Sequence, residues 1–152
     1  MRGKGSWYVA IQAVLLLAAL LAPVFGARFG SWPGAVVAVG VLLAVAGVGV
    51  AVAASIALGR RSLSPFPTPR PDAALVQHGV YAVVRHPIYT GLTLFVLGAG
   101  LASSSPFTMV GALVLLVFFD LKTRREERSL QAKFPDYAAY ARRVDKLVPF
   151  VY

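Results

Sequence analysis

The sequence predicts an all-α integral membrane protein, a bundle of about four transmembrane helices followed by an amphipathic helical tail at the cytoplasmic face. Of its 152 residues, 58% are apolar, and the mean hydropathy is +0.72. A soluble domain of this length is normally less apolar. The charged residues also lie beside long uncharged runs. We therefore interpret the whole chain, 1–152, as a single membrane domain.

The charge balance favours anionic lipid headgroups or an anionic substrate as partners, and no nucleic acid. Fifteen Lys and Arg residues outnumber six Asp and Glu, but they flank apolar runs and form no stripe on a soluble fold. The chain has no cysteine, which excludes disulfides, thiolate metal sites and cysteine nucleophiles. His78 and His86 have no third ligand spaced to join them, so no metal site is expected.

The first predicted span covers about residues 6–27. This run carries no charge, and it lies between Arg2 and Lys4 on one side and Arg28 on the other. Its length suits one membrane crossing. A cleaved signal peptide is the alternative interpretation, because a basic start and an apolar middle fit that pattern too.

The second predicted span covers about residues 33–58. Pro33 suits a helix start, and Arg60–Arg61 forms a polar stop. Small residues recur along this span at a spacing that lets another helix approach closely. They are Gly40, Ala44, Gly47 and Ala51.

Two shorter spans are predicted after the connector 59–78, whose prolines exclude a continuous helix. They cover about residues 88–102 and 106–121, and the turn 103–106 joins them into a hairpin. The apolar runs are only about 20 to 24 Å long, against about 30 Å for the hydrocarbon core. Their inner ends should therefore place polar residues near the membrane boundary. These residues are Arg85, His86, Asp120 and Lys122.

The tail, residues 120–152, has apolar and aromatic residues at helical spacing, and we expect a break or kink near Pro135. With four spans, every Lys and Arg except Arg28 lies on the side of both termini. The positive-inside rule makes that side cytoplasmic. The predicted location is a multi-pass protein of the plasma (inner) membrane.

The stretch Gly79–Gly91, GVYAVVRHPIYTG, combines residues that neither core packing nor membrane spanning requires. The hairpin should bring it close to the charged end of the last span. Glu126 offers a carboxylate for an ammonium group, while Arg85 or His86 offers a positive partner for a carboxylate. Tyr81 and Tyr89 could flank an adenine or a sulfonium. The alternative is a set of interfacial residues that contact headgroups and solvent.

These motifs, in this order, resemble the isoprenylcysteine carboxyl methyltransferase family and its phospholipid N-methyltransferase relatives. The resemblance covers about residues 73–150. It is carried by Gly79-x-Tyr81, Arg85-His86-Pro87-x-Tyr89-x-Gly91, Glu126-Glu127-x-x-Leu130, Tyr137-x-x-Tyr140 and Val148-Pro149-Phe150.

The resemblance implies a helical membrane enzyme that uses S-adenosylmethionine without a Rossmann fold and acts on a lipophilic acceptor. That acceptor would be the carboxylate of an isoprenylcysteine-like molecule or another lipid-like nucleophile. The implied cofactor-binding residues are Ala73, Ala74, Leu75, Val76, Tyr81, His86, Pro87, Ile88, Tyr89 and Glu126. The candidate catalytic residues are Arg85, Lys122 and Glu126.

One position departs from the family pattern. The family has an arginine four residues before the glutamate that corresponds to Glu126, and this chain has Lys122 there. The positive charge is kept but the bidentate guanidinium is lost. We expect Glu126 to hold the methionyl ammonium of the cofactor and Lys122 to face the acceptor.

Two other functions stay open at this point. Some sterol reductases resemble the same C-terminal half, so an NADPH-dependent membrane reductase is one alternative. A small non-enzymatic membrane scaffold is the other. The sequence identifies neither the acceptor nor the oligomeric state.

Overall fold

The computed structural model describes residues 6–25, 30–62, 64, 66 and 69–152. Within that part of the chain all regular elements are helical, as predicted, and the one β-bridge is an isolated pair between Val84 and Asp145. The elements are α1 (Ser6–Leu21), α2 (Gly34–Ser62), a short 3-10 helix (Gly79–Ala82), α3 (Pro87–Ala102), α4 (Pro106–Lys133) and α5 (Tyr137–Ala141). Several residues used in the predictions lie outside the described residues, namely Arg2, Lys4, Arg28, Pro65 and Pro67.

Two helices are long and apolar enough to cross a membrane, Gly34–Gly59 within α2 and Pro106–Lys133, which is α4. The segments Trp7–Leu21 and Pro87–Ala102 are apolar but shorter. Large apolar side chains are exposed along α2 and α4, which is the arrangement expected of helix faces in contact with lipid. They include Leu42, Val45, Val52, Ile56, Val110, Leu113, Val117 and Leu121. The four-span arrangement itself stays a prediction.

α2 and α3 are packed backbone against backbone through small residues. A Cβ atom added at Gly98 would lie 2.4 Å from Ala44 N, and one added at Gly91 would lie 2.5 Å from Gly47 O. Contacts this short are possible only where a side chain is absent. The close approach predicted from the small residues of the second span is therefore confirmed.

α1 packs against α4 at the end opposite to the charged residues. Thr108 Oγ1 donates a hydrogen bond to Ala19 O at 2.9 Å, and a Cβ atom added at Gly111 would lie 2.6 Å from Ala19 Cβ. α1 ends at Leu21, earlier than the predicted boundary near residue 27. Pro23 accounts for the difference, because a proline disfavours helical backbone in the preceding residue.

The hairpin turn has the predicted chemistry. Ser105 is the N-cap of α4, and its side chain accepts a hydrogen bond from Thr108 N at 3.3 Å. Pro106 occupies the first helical position. Both are typical signals of a helix start.

α4 is longer than the predicted span 106–121, because it continues without interruption to Lys133. The segment after Asp120 is therefore the last part of α4 and not a separate tail. No glycine or proline interrupts residues 120–133, and Arg124 pairs with Asp120 one turn away at 2.7 Å. The break expected near Pro135 is present, since α5 begins at Tyr137.

Candidate active site

The segment that leads into α3 is held in place by α5 and by the chain that follows it. Arg85 N donates to Asp145 O at 2.8 Å, and His86 N donates to Lys146 O at 3.2 Å. Tyr140 Oη donates to Tyr81 O at 2.6 Å. These bonds fix the backbone of the Gly79–Gly91 stretch, so its side chains are presented in a defined direction.

Arg85 is held by partners within the protein. Its Nε donates to Glu127 Oε1 at 2.8 Å, and its Nη1 donates to the backbone oxygens of Ala141, at 2.9 Å, and Val144. His86 Nε2 lies 3.2 Å from the same Glu127 oxygen. The guanidinium therefore links the start of α3 to α4, to the end of α5 and to the chain after it. Its catalytic role stays a prediction.

Glu126 lies at the centre of a second polar cluster. Tyr89 Oη donates to Glu126 Oε1 at 2.7 Å, and Lys122 Nζ lies 3.9 Å from the same oxygen. His86 Nδ1 is 3.7 Å from Glu126 Oε2. The two groups of residues predicted to meet at the hairpin ends do so.

Aromatic rings shape one wall of this cluster. The Tyr89 ring stacks on Phe119 with 4.5 Å between centroids, and Lys122 Nζ lies 4.8 Å from the Tyr89 centroid. An ammonium at that distance from a ring face is in cation–π range. The Tyr89 ring is thus held by stacking on Phe119 and by a cation–π contact with Lys122.

A cavity of about 390 Å³ opens beside Glu126, within the size range of small-molecule sites. Most of the predicted site residues line it, both candidate cofactor ligands and candidate catalytic residues. They are Ala73, Ala74, Tyr81, Arg85, His86, Ile88, Tyr89, Lys122 and Glu126.

Three predicted cofactor residues are not among the residues that line the cavity. Leu75 and Val76 lie in the stretch between Ala74 and Tyr81, where the chain leaves the cavity wall. Pro87 is buried as the first residue of α3. The Pro87 ring favours the start of α3, and it has no exposed surface that a ligand could contact.

Sequence reasoning missed the residues that α1, α2, the connector and the end of α4 contribute to the cavity. They are Gln12, Ser55, Leu58, Ser62, Ser64, Phe66, Pro69, Leu130 and Phe134. Ser62 joins α2 to the connector, because its Oγ accepts from Ala74 N at 3.2 Å. Gln12 and Ser55 could have been found from the sequence, because a polar residue within an apolar run often marks a functional contact.

The phenols near the cavity keep their protons at neutral pH. Burial, followed by the nearby Tyr140 and Glu126, raises the pKa of Tyr81 above its usual range. Burial also raises the pKa of Tyr140 to about 12. Both hydroxyls are therefore hydrogen-bond donors. In the described part of the chain no group of three or more His, Cys, Asp or Glu residues is placed to hold a metal ion.

The charges that line the cavity suit a small molecule of mixed charge. Glu126 provides a carboxylate and Lys122 an ammonium, while Tyr81 and Tyr89 provide aromatic surface. Such a site can bind an amino-acid moiety at one end and a flat or cationic group against the rings.

An apolar groove of about 590 Å³ between α2 and α3 meets this cavity. Ser55 and Ile88 line both spaces. The rest of the groove is formed largely by small and aliphatic residues, among them Gly47, Val52 and Leu92. The cavity beside Glu126 thus lies next to an apolar surface of the helical bundle.

Comparison with known proteins identifies the family. The family model described as phospholipid methyltransferase matches residues 35–137, which include α2 from its second residue, α3 and α4. Neither the reductase nor the scaffold alternative gains support from this match.

The chain is also similar to individual proteins over parts of their length. The chain is 34% identical to the cobalt-zinc-cadmium resistance protein CzcN of Cupriavidus metallidurans, over 95% of this chain and 62% of that protein. It is 37% identical to protein-S-isoprenylcysteine O-methyltransferase of Schizosaccharomyces pombe, over 53% and 35%. It is 37% identical to protein-S-isoprenylcysteine O-methyltransferase B of Arabidopsis thaliana, over 51% and 40%.

The chain thus spans less than two thirds of each of these relatives. The match to the family model nevertheless covers more than half of the chain, and it contains the Tyr89 and Glu126 cluster. The resemblance read from the motifs is confirmed, and the chain belongs to the phospholipid methyltransferase family.

Proposed function

We propose that this protein is an S-adenosylmethionine-dependent methyltransferase that acts on a lipophilic acceptor at the membrane–cytoplasm interface. The observation that carries the proposal is the meeting of Tyr89, Lys122 and Glu126 at one cavity. Family membership supports the same reaction class. The methyltransferase names of two of the relatives support it further.

The cavity residues fit the cofactor. Glu126 would accept from its ammonium group, and Tyr81 and Tyr89 provide aromatic surface for its adenine or sulfonium. The connector closes one side of the cavity through Phe66 and Pro69. When bound, the cofactor supplies a methyl group on a positively charged sulfur.

Methyl transfer of this kind requires the protein mainly to align donor and nucleophile and to keep bulk water out. In our proposal Glu126 and the tyrosines hold the donor, and Lys122 faces the acceptor from one turn nearer the apolar part of α4. A carboxylate acceptor needs no general base. An amine acceptor must be neutral, and Glu126 would then take up its proton, because Glu127 is paired with Arg85 and His86.

The apolar groove supports an acceptor with a lipid-like chain. It shares Ser55 and Ile88 with the cavity, so a chain lying in the groove along α2 and α3 would place its polar head near Lys122. The carboxylate of an isoprenylcysteine-like molecule is the acceptor we favour. A phospholipid amine fits the same entrance.

The proposed topology has four spans with both termini in the cytoplasm of the inner membrane. The strong Lys and Arg asymmetry of the sequence supports it. Reporter fusions after residue 1 and residue 152 test it. Both should report a cytoplasmic location, and an external location of either terminus would overturn the four-span arrangement.

The activity is tested by adding purified protein and methyl-labelled S-adenosylmethionine to membranes and detecting labelled lipid by mass spectrometry. The wild-type protein should label a lipid or an added farnesylated cysteine. Glu126→Gln is the matched control and should lose most of the signal. A wild-type protein that transfers no label but oxidises NADPH in the same membranes would overturn the proposal.

A further inference from the structure

Gln12 carries a side-chain amide in the middle of an apolar run of α1. From Val9 to Leu21, α1 reads VAIQAVLLLAALL. A side-chain amide in a membrane helix is costly unless it finds a partner, and such residues commonly mark functional contacts. The partner of Gln12 is therefore informative.

That partner is a candidate catalytic residue. Lys122 Nζ donates a hydrogen bond to Gln12 Oε1 at 2.7 Å. The side chain of Lys122 is only 1% exposed, and both residues line the cavity. A buried ammonium needs hydrogen-bond acceptors, and the Gln12 amide oxygen is one that helps to set where the Lys122 amine lies.

The packing of α1 on α4 explains how residues so far apart in sequence meet. Ala19 contacts Thr108 near the start of α4, and Gln12 contacts Lys122 near its charged end, so the two helices run antiparallel. Long side chains of a helix point toward its N-terminus. The Lys122 side chain therefore reaches back toward the apolar part of α4, where α1 meets it.

We infer that Gln12 is a positioning residue that holds the Lys122 ammonium toward the acceptor. The inference rests on the proposed function, in which Lys122 faces the acceptor. α1 lies outside residues 35–137, the part matched by the family model. α1 thus adds a side-chain amide to a site whose other polar residues lie within the matched part of the chain.

The chemistry of an amide suits this task. A carboxylate at position 12 would place a second negative charge beside the ammonium, whereas an amide oxygen accepts its hydrogen bond and adds no charge. Glu126 Oε1 is 3.9 Å from Lys122 Nζ, which is close enough for an ion pair but beyond hydrogen-bond distance. The Gln12 hydrogen bond thus directs the Lys122 ammonium without adding to the negative charge around it.

The experiment compares Gln12→Leu, Lys122→Met and the double variant with wild type. Val14→Leu is the matched control, because Val14 lies on the same helix and is 64% exposed. Calorimetry gives the affinity for S-adenosylmethionine. Initial rates with N-acetyl-S-farnesylcysteine, and with phosphatidylethanolamine vesicles in a second series, give kcat and KM.

We expect Gln12→Leu to bind the cofactor as wild type does and to lose roughly tenfold or more in kcat/KM, the factor that about 1.4 kcal/mol represents. In the Lys122→Met background, Gln12→Leu should cause no further loss, because its partner is already absent. The double variant has apolar side chains at both positions, so folding should not obscure the comparison.

Each outcome has a defined meaning. Equal kcat/KM for wild type and Gln12→Leu would overturn this inference and leave the proposed function standing. Losses that add fully in the double variant would show that Gln12 acts independently of Lys122 and would also overturn it. A wild-type protein that methylates neither probe would overturn the proposed function, and the inference with it.

Discussion

The Tyr89 hydroxyl donates a 2.7 Å hydrogen bond to Glu126 Oε1, joining the first turn of α3 to the C-terminal third of α4. The hairpin makes this contact possible, because the turn after Ala102 folds α4 back along α3. Glu126 is thereby held at the cavity wall, one helical turn from Lys122. The position of this carboxylate is the basis of the proposed cofactor site.

We predict that Arg85 acts mainly on stability. Arg85→Met should lower the free energy of unfolding by about 3 kcal/mol, because it leaves the partly buried Glu127 carboxylate without its closest cation. Thermal and denaturant unfolding in detergent would measure the change.

The double variant Arg85→Met/Glu127→Met is the matched control. It should lose less stability than Arg85→Met alone, since no unpaired carboxylate remains. If Arg85→Met keeps wild-type stability and loses cofactor affinity instead, Arg85 contacts the ligand, as the sequence suggested.

A second prediction concerns the packing of α2 against α3. Gly98→Ala should destabilise the protein by about 1 to 3 kcal/mol, because its methyl group would lie 2.4 Å from Ala44 N. Gly49→Ala is the control, since a Cβ atom at Gly49 meets nothing within 4 Å. It should be neutral or stabilising by up to about 1 kcal/mol. Equal effects of the two substitutions in thermal unfolding would contradict the close helix contact.

A third prediction concerns alkaline pH. Burial raises the pKa of Tyr140 in the folded protein from its ordinary 10.0 to about 12. Above pH 10 the unfolded chain therefore releases this proton first, and stability falls as the pH rises toward 12. Below pH 10, Tyr140→Phe should cost about 1 kcal/mol, the value of its hydrogen bond to Tyr81 O.

The stability advantage of wild type over Tyr140→Phe should shrink and then reverse in sign as the pH rises from 10 to 12, because the shift in pKa outweighs the value of one hydrogen bond. Unfolding followed at both ends of that range would measure it, with Tyr8→Phe as a control outside this contact. A difference that stays constant with pH would mean that Tyr140 does not carry the dependence.

Local signals in the sequence were sufficient for much of the fold and for the centre of the site. The prolines, the Ser105 cap and the apolar runs define helix starts and ends, and a short hairpin must bring its two ends together. The amino-acid sequence alone therefore allows Tyr89 and Glu126 to be placed at one site, while their hydrogen bond is seen only in the structure. The small residues of α2 predicted its contact with α3 for a similar reason, since their spacing follows one helix face.

Other features depend on contacts that a single sequence does not reveal. The pairing of Gln12 with Lys122 requires knowledge of how α1 lies against α4, and nothing local specifies that. The sequence is compatible with an Arg85 guanidinium that faces either a ligand or Glu127. Only the three-dimensional packing around Arg85 determines which of the two it contacts. The unbroken continuation of α4 to Lys133 is likewise not evident from the predicted span, because a change from apolar to charged residues marks a membrane boundary without ending a helix.

The most direct test of the central claim is calorimetry of S-adenosylmethionine binding to wild type, Glu126→Gln and Lys122→Met. Glu126→Gln preserves shape and removes charge, so it should weaken binding by about 1.5 to 3 kcal/mol, the value of a charge-assisted hydrogen bond. Lys122→Met should keep the wild-type affinity and lose turnover. Normal binding by Glu126→Gln, or an equally severe loss of binding by Lys122→Met, would contradict the proposed site.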